Sequence, residues 1–110
     1  MEDAGAPGRK FPRIPSENPL LVRRAGEEES GVFSRTRTLG GGGAMFESRA
    51  PFGAGTALWI TISVKGGFIE APVRVAWERE AGGGLWEVGV EFLDLSPLDR
   101  AALEEVLSRE

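Results

Sequence analysis

From Leu58 to Val64 the chain alternates without a break, with Leu58, Ile60, Ile62 and Val64 on one face and Trp59, Thr61 and Ser63 on the other. A period of two is the mark of a strand with one buried face. Lys65-Gly66-Gly67 then supplies a turn, and Phe68 to Glu80 sets Val73, Val75 and Trp77 opposite Arg74, Ala76 and Glu78. The two segments predict a hairpin. After Gly82-Gly83-Gly84, a last strand carries Trp86, Val88, Val90 and Phe92 in phase against Glu87, Gly89 and Glu91. This phase assigns Trp77 and Trp86 to the core, and leaves Trp59 for the helix, a partner or solvent.

The first half is more broken. Leu20 to Arg24, Val32 to Thr38 and Ala44 to Glu47 read as three shorter strands, separated by the polar turn Glu27–Gly31 and the glycines at 40 to 43. Pro51 to Thr56 has the turn residues of a connection. Ahead of these strands, Arg9-Lys10-Phe11-Pro12-Arg13-Ile14-Pro15 forms a stiff extended strap, because its two later prolines exclude helix. Residues 1–8 lack an apolar period and read as a flexible leader, so the folded domain is expected over 9–110.

At the other end, Ser96-Pro97-Leu98-Asp99 carries an N-cap serine, a proline at the first helical position and an acid three residues after the cap. Residues 97 to about 108 are therefore helix, with Leu98, Ala102, Leu103, Val106 and Leu107 as its apolar stripe. Six antiparallel strands at the spacing of a small barrel, closed by one C-terminal helix, make a mainly all-β fold.

Composition narrows what such a barrel does. At 110 residues there is one core. Cysteine and histidine are both absent, which removes disulfides, thiolate and imidazole metal sites, and Ser-His or Cys-His catalysis. No apolar run reaches the roughly 18 residues of a membrane span, so a cytoplasmic protein that makes no membrane contact is expected. A net charge of -4 argues against nucleic acid as a partner. Positive charge is nevertheless concentrated early, at Arg9, Lys10, Arg13, Arg23, Arg24, Arg35 and Arg37.

Catalysis finds no constellation. Asp94, Asp99, Glu104 and Glu105 fit capping and solvation at the helix, and Ser63 with Lys65 is an ordinary strand-end pair. No catalytic residue, metal or cofactor is expected. The glycines at 40 to 43 lack the Lys-Ser/Thr of a phosphate loop, although glycine permits close backbone approach or positive φ. The stronger feature is Arg9-x-x-x-Arg13. Residues four apart in an extended chain lie on one side, roughly 13 Å apart, where two guanidinium forks suit phosphate oxygens or the O6 and N7 edge of guanine.

These residues resemble the PilZ domain family, a six-stranded β-barrel that binds cyclic di-GMP in many bacterial proteins. Arg9 to Arg13 resembles its RxxxR segment. Ala44-Met45-Phe46-Glu47-Ser48 is similar to the strand after its second motif, Val73-Arg74-Val75-Ala76-Trp77 to its penultimate strand, and Val88 to Pro97 to its last strand and helix start. The resemblance implies Arg9, Lys10 and Arg13 as a ligand clasp. It aligns the second motif, (D/N)xSxxG, with Thr38-Leu39-Gly40-Gly41-Gly42-Gly43, where Thr38 replaces the acid or amide, Gly40 replaces the serine and Gly43 matches. It further implies a cytoplasmic bacterial signalling receptor that passes cyclic di-GMP binding to a protein partner, or, with the second motif degenerate, an adaptor that binds protein without the nucleotide.

Overall fold

In a computed structural model, residues 13–27 and 31–108 are described, with Arg13 by its backbone alone. The strands are β1 (Arg13–Pro15), β2 (Pro19–Arg24), β3 (Val32–Gly40), β4 (Gly43–Ser48), β5 (Ala57–Val64), β6 (Gly67–Gly82) and β7 (Leu85–Phe92), followed by helix α1 (Pro97–Ser108). Their order is β1-β3-β2-β5-β6-β7-β4, and a further β3–β4 pairing closes the sheet on itself. Every expected strand and the helix are present. The addition is β1, the end of the proline-bearing strap. The leader and residues 9–12 lie outside the described residues.

The clean alternation of β5 and β6 becomes an uninterrupted ladder from Ala57↔Arg74 to Val64↔Gly67. Leu58, Ile60 and Ile62 point inward at no more than 1% exposure, meeting Leu20, Val22, Leu39, Phe46, Val73, Val75, Val88 and Val90 in one core. Burial of this apolar surface is the main stabilising term, at about 25 cal/mol per Å² removed from water.

β6 departs from its expected phase at Ala76. Val75 pairs with Val90 but Trp77 pairs with Gly89, so Ala76 is an extra residue, a β-bulge. Beyond it the faces exchange. Trp77 lies on the outer face and not in the core, whereas Glu78 comes opposite buried Val88 at the end of the barrel. There its carboxylate accepts the amides of Phe52 (2.6 Å) and Gly53 (3.0 Å), fixing the β4–β5 connection. Trp86 keeps its expected phase and packs against the core while partly exposed. Trp59 lies on the outer face with the Arg23 guanidinium 5.7 Å from its ring centroid.

The helix starts as expected. Ser96 Oγ accepts the Asp99 amide (3.0 Å) and donates to Asp99 Oδ2 (2.8 Å), and Asp99 Oδ1 accepts the Glu70 amide (3.2 Å), tying the cap to β6. Leu103 is fully buried, with Ala102, Val106 and Leu107 beside it. Leu98, expected in this stripe, is 84% exposed. It lies five residues before Leu103, about 140° around the helix at 100° per residue, and so turns away from the barrel. No helix among the described residues is long and apolar enough to cross a membrane.

Candidate ligand-binding face

The end of the strap, β1, meets the glycine run beside the outer surface of β3, β4 and β7. β1 pairs antiparallel with the end of β3 in the register Arg13↔Gly40, Ile14↔Leu39 and Pro15↔Thr38. The chain beyond β1 is fastened by polar contacts. Ser16 N donates to Arg37 O (3.0 Å), Ser16 Oγ donates to Asn18 Oδ1 (2.5 Å) and lies 2.6 Å from Thr36 Oγ1, and Asn18 Nδ2 donates to Ser63 O (3.0 Å). From Arg13 onward the strap is therefore an anchored strand.

Successive strands carry the candidate residues across the face in rows. In the middle row Pro15, Thr38, Met45, Gly89 and Trp77 follow one another on β1, β3, β4, β7 and β6. With strands about 4.8 Å apart, Thr38 and Trp77 stand roughly 14 Å apart, with only Met45 and Gly89 between. The indole lies directly over Gly89, so closely that a Cβ there would overlap its ring. On one side of this row lie Gly40, Gly43, Glu91 and Arg74. On the other lie Arg37, Glu47, Glu87 and Arg79. The result is a shallow platform of small residues with an aromatic wall.

The platform's acids are each paired. Arg74 donates through Nε (2.9 Å) and Nη2 (2.6 Å) to Glu91 Oε2, Arg79 Nε lies 2.6 Å from Glu87 Oε1, and Arg37 Nη1 lies 3.1 Å from Glu47 Oε2. Arg79 also sits 5.7 Å from the Trp77 ring centroid. Such exposed pairs add little stability. What they do is neutralise the carboxylates, so that an anion approaching the face meets no unopposed negative charge from these three groups.

Of the residues expected at the site, Arg13 is opposite Gly40 through its backbone, Thr38 and Gly40 end β3, and Gly43 opens β4. Arg9 and Lys10 lie outside the described residues. The glycine run is not an open loop: Gly40, Gly41 and Gly43 are buried, and none of its four residues has positive φ. Its carbonyls are engaged, Gly42 O by the Phe92 amide and Gly41 O by Arg100 Nη1, both at 2.9 Å. A Cβ at Gly43 would strike the Val90 carbonyl and the Glu91 Cα, so only glycine fits. Thr38 Oγ1 is buried without a hydrogen-bond partner among the described residues.

Trp77, Met45 and Gly89 were not among the expected site residues. One signal existed: an isolated glycine within a strand marks a bulge or a close approach by another group, and Gly89 has Trp77 against it.

A family model, the PilZ domain, matches residues 7–109. The chain belongs to the PilZ domain family. Among solved structures, this PilZ barrel is similar to the Bacillus subtilis inhibitor of motility MotI/DgrA, with 16% identity and a TM-score of 0.79 over 92% of this chain and 50% of that one. It is similar to the PilZ domain of Escherichia coli YcgR with c-di-GMP, at 18% identity and a TM-score of 0.70 over 90% and 88% of the two chains. The K. pneumonia MrkH–c-di-GMP complex is a third, at 12% identity and a TM-score of 0.72 over 90% and 50%. At these identities the likeness is one of fold. The chain spans half the length of MotI/DgrA and of MrkH. No match was found among curated proteins.

Proposed function

We propose that this PilZ domain is a receptor for cyclic di-GMP, a bacterial cytoplasmic module without catalytic activity that passes the binding event to a protein partner. The observation that carries the reading is the pairing of Arg13 with Gly40, because it sets the last residue of the RxxxR segment at the edge of the small-residue platform. Arg9, Lys10 and Arg13 supply cationic donors to phosphate and guanine, Thr38, Gly40 and Gly43 form the platform edge, and Trp77 offers an aromatic plane for a base. The YcgR and MrkH structures named above contain c-di-GMP, which supports the choice of ligand.

The second motif sets the affinity. A hydroxyl at Thr38 forgoes the paired base-edge contacts of an acid or amide, about 1 to 3 kcal/mol, and Gly40 forgoes a serine hydroxyl, about 0.5 to 1.5 kcal/mol. Together these weaken binding roughly ten-fold to a thousand-fold relative to an intact motif. Titration calorimetry of the full chain with cyclic di-GMP at low salt tests the receptor reading, with saturable heat as the expected result. Arg13→Ala weakens binding by at least about ten-fold, the value of one charge-assisted bidentate contact. Trp77→Ala weakens it by about five-fold or more, as expected for loss of one stacked base.

A second reading, an adaptor that binds protein and no nucleotide, is favoured by the buried Thr38 hydroxyl, which has no hydrogen-bond partner among the described residues. Absence of heat up to millimolar nucleotide selects it over the first. Trp59 and Phe52 are both half-buried, Phe52 packing edge-on against Phe46 with ring centroids 6.3 Å apart. Among the described residues the exposed aromatics are Phe33 (81%) and Phe68 (64%).

A further inference from the structure

β3 is paired on both sides over only part of its length. Val32 to Arg35 pair with β2, whereas β4 joins the other side from Thr36 onward. The Thr36 amide donates to Asn18 O across the β2 side. Antiparallel alternation then turns the N–H and C=O groups of Phe33 and Arg35 away from β2; the Thr36↔Phe46 pairing engages the Arg35 carbonyl with β4, which leaves both groups of Phe33 and the Arg35 N–H. They face a groove of about 510 Å³ between β3 and the segment Ser48–Phe52. This is an open sheet edge of roughly 7 Å, from Phe33 to Arg35.

The groove has two chemistries. Inward-facing Val32, with Phe52 and Leu85, provides an apolar floor, and the Arg24 guanidinium lies 5.2 Å from the Phe52 ring centroid. Among the described residues four arginines, Arg24, Arg35, Arg37 and Arg49, line it against two acids, Glu17 and Glu47. Arg37 is held by Glu47, while Arg35 and Arg49 are exposed and engage no carboxylate among the described residues. Among these described residues the excess is positive, in a chain whose net charge is -4.

We infer that this groove takes an extended acidic segment of a partner protein, added as a strand to the free edge of β3. Strand addition explains the division of the lining. Alternate side chains of an added strand point to opposite faces, so apolar ones meet Val32, Phe52 and Leu85 while acidic ones meet Arg35 and Arg49. The site uses none of the residues proposed to hold the nucleotide, and it stands whether or not that ligand binds.

Fluorescence anisotropy with a labelled decapeptide of alternating Glu and Val, at low salt, tests the inference. Binding is expected, with amide NMR shifts centred on Phe33 to Arg35 and Arg49 to Phe52. Arg35→Glu with Arg49→Glu weakens it by roughly ten-fold or more, through loss of two attractive charges and gain of two repulsive ones. N-methylation of the amides on one face of the peptide abolishes it, since backbone bonds carry strand addition. Both arginines are exposed, and an unchanged melting temperature verifies the fold of the variant. The inference is overturned by absence of binding, by equal binding of a Lys-Val peptide, by indifference to N-methylation, or by equally tight binding of a ten-nucleotide oligothymidylate, which would mark a polyanion site.

Discussion

Two glycine runs of nearly equal length serve opposite ends in this barrel. Gly82, Gly83 and Gly84 all have positive φ, between 65° and 89°, and a Cβ on any of them would project into open space. They are there for backbone conformation, turning β6 into β7. None of Gly40 to Gly43 has positive φ, and at Gly43 a Cβ would collide with the β7 backbone. That run is there for closeness. Glycine-rich composition is the same signal in both, yet one run marks a solvent-exposed turn and the other a place where two strands and a helix side chain crowd together beneath the candidate ligand face.

The sharpest way to break this contrast is to add one carbon to each run. Gly43→Ala forces backbone of β7 to move, because the obstructing atoms are the Val90 carbonyl and the Glu91 Cα and not the tip of a flexible side chain. A loss of about 3 kcal/mol in urea unfolding is expected, the upper part of the range for overpacking, with the melting temperature lowered on the order of 10 °C. A loss below about 0.5 kcal/mol would show that β4 and β7 can separate freely there, and the closeness argument would fail.

A smaller effect is expected at the tether between this run and the helix. Arg100→Ala removes the donor to Gly41 O, leaving a carbonyl of a buried residue unsatisfied. About 1.5 kcal/mol is expected, the lower part of the range for hydrogen bonds to charged groups. Arg100→Lys should recover part of it, and hydrogen exchange near Gly41 and Phe92 would locate the change.

The difference between the runs also explains what could be seen in the sequence. β5, the hairpin to β6, and the helix start were legible because each depends on neighbours in sequence: alternation from Leu58 to Val64, a Gly-Gly turn, and a serine cap before Pro97. The bulge at Ala76 was not legible. One inserted residue reverses the faces, so alternation carried through it placed Trp77 in the core and Glu78 outside, and the structure has each on the other side. The strap was readable as extended, because its prolines dictate that locally. Its partner, the end of β3, lies about 25 residues away in sequence, and no local pattern names a partner at that distance. The platform was thus visible only in fragments, as a pair of arginines and a run of glycines.

At the turn run, the cost is conformational and smaller again. Gly84→Ala places an L side chain at φ 79° with no atom in its way. About 1 kcal/mol is expected, the cost of a left-handed conformation for a non-glycine residue. Asn at the same position should cost less than Ala, because its side chain can hydrogen-bond to nearby backbone in that conformation. A ranking with Ala above Asn in stability would mean that the turn rearranges.

Gly67 supplies the limiting case, because it needs neither property. It opens β6 opposite Val64, is absent from the positive-φ glycines, and a Cβ there would meet nothing within 4 Å. With no steric cost and no left-handed strain, the remaining consequence of Gly67→Ala lies in the unfolded chain, which has fewer conformations to lose. The folded protein should therefore gain about 0.5 kcal/mol, and its melting temperature should rise by roughly 2 °C. Urea unfolding resolves the sign if the denaturant slope is unchanged. A destabilisation would be informative in a specific way: with strain and collision both missing, it would mean that Gly67 is held close to something beyond the barrel itself, and the division of these glycines into turn-formers and space-makers would need a third class.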